Sequence, residues 1–114
     1  MANNEIAREI AERLCAKKAK DITIIDIAEK SSFADFFVNA TAVSERQLKA
    51  LGEEVEELTE RLGIEMISSD GREGSGWLLL DYGDIIVNIF AADMRDVYAL
   101  DKLWSDCDIT HIEG

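Results

Sequence analysis

The stretch from Ser75 to Phe90, SGWLLLDYGDIIVNIF, restricts the fold more than any other part of the chain. Trp77 to Leu80 and Ile85 to Phe90 are aliphatic, β-branched and aromatic, types that suit a pleated, half-buried backbone. Asp81, Tyr82 and Gly83 between them suit a three-residue type I turn with Gly83 left-handed. The pattern predicts a β-hairpin. With that loop Leu79 faces Ile85 and Trp77 faces Val87, while Leu78 and Leu80 share the other face with Ile86, Asn88 and Phe90. Both faces are then largely apolar. Such a hairpin belongs inside a layered sheet, or has one side under helices and part of the other kept for a partner.

Length and charge narrow the class. A chain of 114 residues, 47% hydrophobic and without proline, suits one domain around one core, with no linker dividing it. No run approaches the roughly 18 apolar residues of a membrane span, and the polar start MANNEIARE lacks the apolar centre of a signal peptide, so a cytoplasmic protein is expected. Cys15 and Cys107 lie far apart, without CxxC spacing or a histidine cluster, and read as reduced structural thiols. The 24 acidic and 12 basic residues give a net charge of -12, which bare nucleic acid would repel. If the chain works near RNA, its partner there is expected to be a basic protein, not phosphate; the alternative is that the acidity only keeps the domain soluble.

In chain order, a helix is predicted over about Asn3 to Lys18, capped by Asn3 or Asn4, with Ile6, Ile10 and Leu14 stacked at four-residue spacing to lie on the sheet. Asp21 to Ile27 reads as a strand with Ile22 and Ile24 on one side and Ile25 and Ile27 on the other, and a second strand follows at about Asp35 to Thr41. Ser44 to Leu62 is the clearest helix. Ser44 and Gln47 form an S-x-x-Q capping box, Leu48, Leu51, Val55, Leu58 and Leu62 make a narrow stripe, and Gly63 ends it as a C-cap. Glu53, Glu54, Glu56, Glu57 and Glu60 make its wet face acidic, a candidate edge of a docking surface. A third strand is expected at Ile64 to Ser68, a glycine-rich loop at Ser69 to Gly76, and a helix from Asp93 to Leu100 or Trp104. Residues 105–114 are expected to be a loose C-terminal tail beyond a domain of residues 1–104.

Catalytic patterns are missing. The serines of EKSSFAD have no base to activate them, since His111 is the only histidine and sits near the C-terminus, and they read as turn residues. The loop with Gly71, Gly74 and Gly76 lacks the G-x-x-x-x-G-K-[ST] pattern and leads into a strand, so it is not a phosphate loop. No catalytic residue, metal site or cofactor is expected.

Three segments carry a resemblance. SSFADFFVNATAVSERQLKAL (Ser31 to Leu51), GWLLLDYGDIIVNIF (Gly76 to Phe90) and RDVYALDKLW (Arg95 to Trp104) together resemble the Iojap family, the bacterial ribosomal silencing factors, over about Asp21 to Trp104. The chain departs from the family at Phe37, where many members carry tyrosine, and at Asn88, where many carry histidine. The second departure argues against an acid-base role at that position. The resemblance implies a compact α/β domain, a mixed sheet of about five strands packed with helices, with nucleotidyltransferase-like topology but no need for catalysis. It also implies binding to the large ribosomal subunit through the uL14 protein, which sterically prevents joining with the small subunit and lowers translation, and a homodimer off the ribosome.

An active nucleotidyltransferase is the alternative from another class. Such enzymes set a Gly-Ser pair before a strand with metal-binding carboxylates at i and i+2. Gly74-Ser75 and Asp81 fit in part, yet Asp81 and Asp84 are three apart across a turn and no basic residues follow to hold a triphosphate. A generic acidic adaptor for another protein is the other alternative. The residues expected to dock on a ribosomal protein are Trp77 and Leu78 at the hairpin start, Asp81 and Tyr82 at its turn, and Asn88 and Phe90 on its second strand, with core packing the alternative for each aromatic and turn formation the alternative for Asp81.

Overall fold

The computed structural model describes residues 2–29, 32, 34–71, 76–92 and 108–112. The elements are α1 (Asn3–Ala16), β1 (Lys20–Asp26), β2 (Phe36–Ala42), α2 (Glu45–Arg61), β3 (Ser68–Asp70), β4 (Trp77–Asp81), β5 (Ile85–Ala91) and β6 (Asp108–Ile112). The strands form one mixed sheet in the order β3-β4-β5-β2-β1-β6. β2 and β5 run parallel, and every other neighbouring pair is antiparallel.

Both helices cover the same face of the sheet. The α1 stripe of Ile10 and Leu14, with Ile6 at its margin, and the α2 stripe of Leu48, Leu51, Val55 and Leu58 pack on Ile22, Ile24, Val38, Ala40, Leu80, Val87 and Ile89. Full burial of each large aliphatic side chain contributes about 1.5 to 3 kcal/mol, so this layer is the principal source of stability. The opposite face holds a smaller cluster of Ile25, Ile27, Ala34, Phe37 and Ile86, joined by half-buried Leu79 and Ile109. The division of β1 into Ile22 and Ile24 against Ile25 and Ile27 is therefore as the alternation predicts.

α2 follows its sequence signals. The Ser44 hydroxyl accepts from the Gln47 amide at 3.1 Å, while the Gln47 side-chain oxygen accepts from the Val43 amide at 2.7 Å. Gly63 stands just past the helix at φ +77°, where a Cβ would be strained. α1 differs at its start: Ala2 is the N-cap, and Asn3 instead donates its side-chain amide to Asp35 at 2.9 Å, tying the helix to the loop before β2. The two helices are joined by Arg13 to Glu54 at 3.0 Å and Lys17 to Glu54 at 3.8 Å.

The hairpin exists, but its turn and register differ from expectation. The Tyr82 amide donates to the Ile85 carbonyl at 2.9 Å, which leaves Gly83 and Asp84 as a two-residue loop. Gly83 has φ +88° and Asp84 is not among the positive-φ residues, the pattern of a type II′ turn, whose twist matches that of the strands. Asp81 Oδ1 accepts from the Gly83 amide at 2.8 Å and closes the corner. Trp77 consequently lies opposite Phe90, Leu78 opposite Ile89, Leu79 opposite Asn88 and Leu80 opposite Val87. This is a three-residue slip from the expected pairing, so Leu78 and Leu80 join Val87 and Ile89 under the helices while Trp77 and Leu79 share the other face with Asn88 and Phe90.

Two further expectations are corrected. The third strand lies at Ser68–Asp70, not Ile64 to Ser68, because these residues pair with Leu79 to Asp81 of β4, and Ile67 is left 68% exposed. The segment expected as a loose tail contains β6, which pairs along β1 from Ile22–Ile112 to Asp26–Asp108 and covers an edge that would otherwise present open backbone groups. The sheet thus has six strands instead of about five, and the folded domain continues past residue 104. The helix expected from Asp93, with Trp104, and Cys107 lie outside the described residues; Cys15 is a free, half-buried thiol.

Candidate functional site

The structure separates the expected docking residues into two groups. Trp77, Leu78 and Asp81 on β4 are half-buried, whereas Tyr82, Asn88 and Phe90 are buried within the chain. The first group keeps part of its surface exposed; the second is covered by the chain itself.

Trp77 and Leu78 start β4 beside the N-terminal half of α2. With Leu48, Lys49, Gly52, Glu53 and Glu56 they border a groove of about 640 Å³. Glycine shapes this groove at two points. A Cβ at Gly52 would overlap Leu78 Cδ2, and one at Gly71, whose φ is +146°, would lie 2.6 Å from the Trp77 carbonyl oxygen and 3.1 Å from Leu78 Cδ1. The Leu78 side chain is held between these two glycines. The groove therefore has apolar Leu48 and Leu78 in its lining, with three glutamates (Glu45, Glu53 and Glu56) and two cations (Arg46 and Lys49) around them. The acidic face of α2 is narrower than its sequence implies, because Arg13 and Lys17 engage Glu54, and Arg61 engages Glu57.

On the far face of the sheet Trp77 stacks on Phe90, with centroids 6.0 Å apart and planes 15° from parallel. Its indole Nε1–H donates to Asn88 Oδ1 at 3.1 Å, and Asn88 Nδ2 donates to Asn39 Oδ1 at 3.0 Å. Asn39 and Asn88 stand directly opposite each other on the parallel strands β2 and β5. Sequence reasoning passed over Asn39. The signal was available, since FFVNATA places one amide in the middle of an otherwise apolar strand, as IIVNIFA does for Asn88.

Tyr82 anchors α2 from below. Its hydroxyl oxygen accepts from Thr59 Oγ1 at 3.0 Å. Its pKa is raised above 10.0, first because burial disfavours the phenolate, and further by the Glu56 carboxylate, with the Thr59 hydrogen bond opposing. The folded chain therefore holds this proton more tightly than the unfolded chain. The contribution to stability is fully present below about pH 10 and is lost as pH rises from there through the raised folded value. In alkaline denaturation titrations, Tyr82→Phe is expected to lose stability less steeply than the parent above pH 10; equal slopes would show that the buried phenol is not responsible.

Asp81 and Asp84 lie on either side of Gly83, and Asp81 has one carboxylate oxygen on the Gly83 amide. They do not form a pair on one strand face. Among the described residues no group of three or more His, Cys, Asp or Glu gathers in a way that could hold a metal. Nor is any described helix long and apolar enough to cross a membrane. What the start of β4 offers is Leu78 toward α2 and the Trp77 ring on the opposite face, with charged residues of both signs along the α2 side.

Comparison with known proteins gives this surface a context. The family model for the ribosomal silencing factor during starvation matches residues 1–114. A ribosomal silencing factor of Halalkalibacterium halodurans is 33% identical over 114 residues, covering 100% of this chain and 97% of its own length. The chloroplastic Iojap protein of Arabidopsis thaliana is 30% identical over 100 residues, which are 88% of this chain and 42% of that longer protein. A crystal structure of a protein from Chromobacterium violaceum is similar with a TM-score of 0.88 at 32% identity, covering 100% of this chain and 95% of that one. The Iojap resemblance carried by residues 31–51, 76–90 and 95–104 thus extends over the full length, and the chain belongs to the ribosomal silencing factor family.

Proposed function

We propose that this protein binds the large ribosomal subunit through the uL14 protein and sterically blocks joining with the small subunit, repressing translation in the cytoplasm. The observation that carries this reading is the match of the whole chain to a family of ribosomal silencing factors. The β4 edge supports it, with Trp77 and Leu78 as contacts, Asp81 as the residue that shapes the adjoining turn, and the α2 groove beside them. Tyr82, Asn88 and Phe90 act from beneath. A net charge of -12 suits a basic ribosomal protein as receptor and opposes direct binding of RNA. Off the ribosome, a second copy of the chain would cover the same apolar edge, giving a homodimer that competes with subunit binding. No cofactor or catalytic step enters this mechanism.

The test is binding to purified large subunits at rising ionic strength. Affinity is expected to fall as salt increases, because exposed charge pairs are screened over about 8 to 10 Å near physiological strength. Binding to protein-free ribosomal RNA should be negligible. Tight binding to that RNA would contradict a protein receptor.

A further inference from the structure

We propose that Asn88 and Asn39 are positioning residues for Trp77, forming a buried amide ladder that fixes the indole at the β4 edge. The docking consequence rests on the reading of Trp77 as a contact residue; the ladder itself does not. Its three members lie on the adjacent strands β4, β5 and β2. Trp77 Nε1 is 3.1 Å from Asn88 Oδ1, and Asn88 Nδ2 is 3.0 Å from Asn39 Oδ1. Asn39 is 0% and Asn88 1% exposed, and Asn39 Nδ2 ends the ladder with no hydrogen-bond partner among the described residues.

The direction of the ladder is dictated from the Trp77 end. An indole N–H can only donate, so Asn88 must turn its oxygen toward it and its NH₂ toward Asn39, which must then present its own oxygen. Reversing Asn88 would set its NH₂ against the indole N–H; reversing Asn39 would set two NH₂ groups against each other. The leftover donor is pushed to the far end, at Asn39 Nδ2. A buried donor without an acceptor lowers stability, and well-packed apolar side chains at both positions would be as stable or more so. What apolar side chains could not do is select one orientation of the indole. The ladder holds its nitrogen edge inward while the ring rests on Phe90, so the carbon edge is turned away from the ladder.

The test compares three proteins: the parent, the double variant Asn39→Leu/Asn88→Leu, and Asn88→His. Indole N–H signals are read by nitrogen-15 NMR, with that of Trp77 identified by its loss in Trp77→Phe. In the double variant the Trp77 N–H is expected to exchange with water at least about tenfold faster than in the parent, without a fall in melting temperature. Large-subunit binding is expected to weaken by at least about tenfold.

Asn88→His is expected to restore both properties at neutral pH. A neutral imidazole accepts from the indole with one nitrogen and donates to Asn39 with the other; the imidazolium cannot accept. The restoration should therefore fade on acidification, a profile absent from the parent. In the cross-strand row through position 88 the titratable side chains are Asp70 on β3 and His111 on β6, two and three strands away. Unchanged exchange and binding in the double variant would overturn the proposal, and so would an Asn88→His protein whose indole exchange ignores pH; the latter decides the matter even if the double variant fails to fold. Faster exchange with unchanged subunit binding would keep the ladder and overturn the docking role of Trp77.

Discussion

Phe90→Ala is expected to cost about 3 to 5 kcal/mol of stability, the sum of lost transfer energy and the cavity left in the sheet layer. Phe90 is 1% exposed, lies opposite Trp77 on the adjoining strand and stacks on its ring. For a domain of this size the loss should lower the melting temperature by more than about 10 °C. Phe90 was among the residues expected from the sequence to touch a partner, and its burial assigns it to support instead. Large-subunit binding by the variant should therefore fall only as far as the folded fraction falls. A variant that melts with the parent yet does not bind would return Phe90 to the docking surface.

Trp77→Ala is expected to do the reverse. Trp77 is half-buried at the start of β4, and its ring lies on the face of the sheet opposite α2, where a part-exposed aromatic can enter a pocket on a partner. The protein should remain folded with a modestly lowered melting temperature. Binding to large subunits should weaken by about 2 kcal/mol or more, roughly 30-fold in affinity. Melting curves and subunit binding measured on both variants separate packing from docking. If Trp77→Ala unfolds the chain, or binds as well as the parent, the β4 edge is packing surface and the contact assignment fails.

The parts of the fold written in local chemistry were legible in the sequence. α2 has a hydroxyl cap at Ser44, a stripe at helical spacing and Gly63 at its end, and each of these acts within a few residues. The alternation in β1 likewise separates its two faces. The hairpin register was not legible, and the reason is the same feature that made the hairpin conspicuous. With apolar residues on both faces, a slip exposes no polar penalty, so only the turn decides. Asp81 capping the Gly83 amide selects the two-residue loop and with it the exchange of faces. β6 was hidden for another reason. DITHI is short and mostly polar, and its strand character comes from pairing with β1, more than 80 residues earlier.

The candidate site was legible to a similar depth. Trp77, Leu78 and Asp81 were singled out by residue type and placement, and they are half-buried. Tyr82, Asn88 and Phe90 were grouped with them as turn and second-strand residues of the same hairpin, and the structure turns Tyr82 toward α2 and buries the other two against Trp77 and Asn39. Asn39 was marked in the sequence as an amide within a mostly apolar strand, but its partner, 49 positions away, follows only from the parallel pairing of β2 and β5.

The central claim is that this protein acts by occupying the joining face of the large subunit, and a subunit-joining titration tests it most directly. Purified large and small subunits are combined after the large subunits have been mixed with increasing amounts of the protein, and assembled ribosomes are separated from free subunits by sedimentation. The account predicts that joining falls in proportion to the fraction of large subunits occupied, with Trp77→Ala shifted to higher concentration. Joining that proceeds normally on fully occupied large subunits would contradict the account, as would lasting inhibition at far less than one protein per subunit.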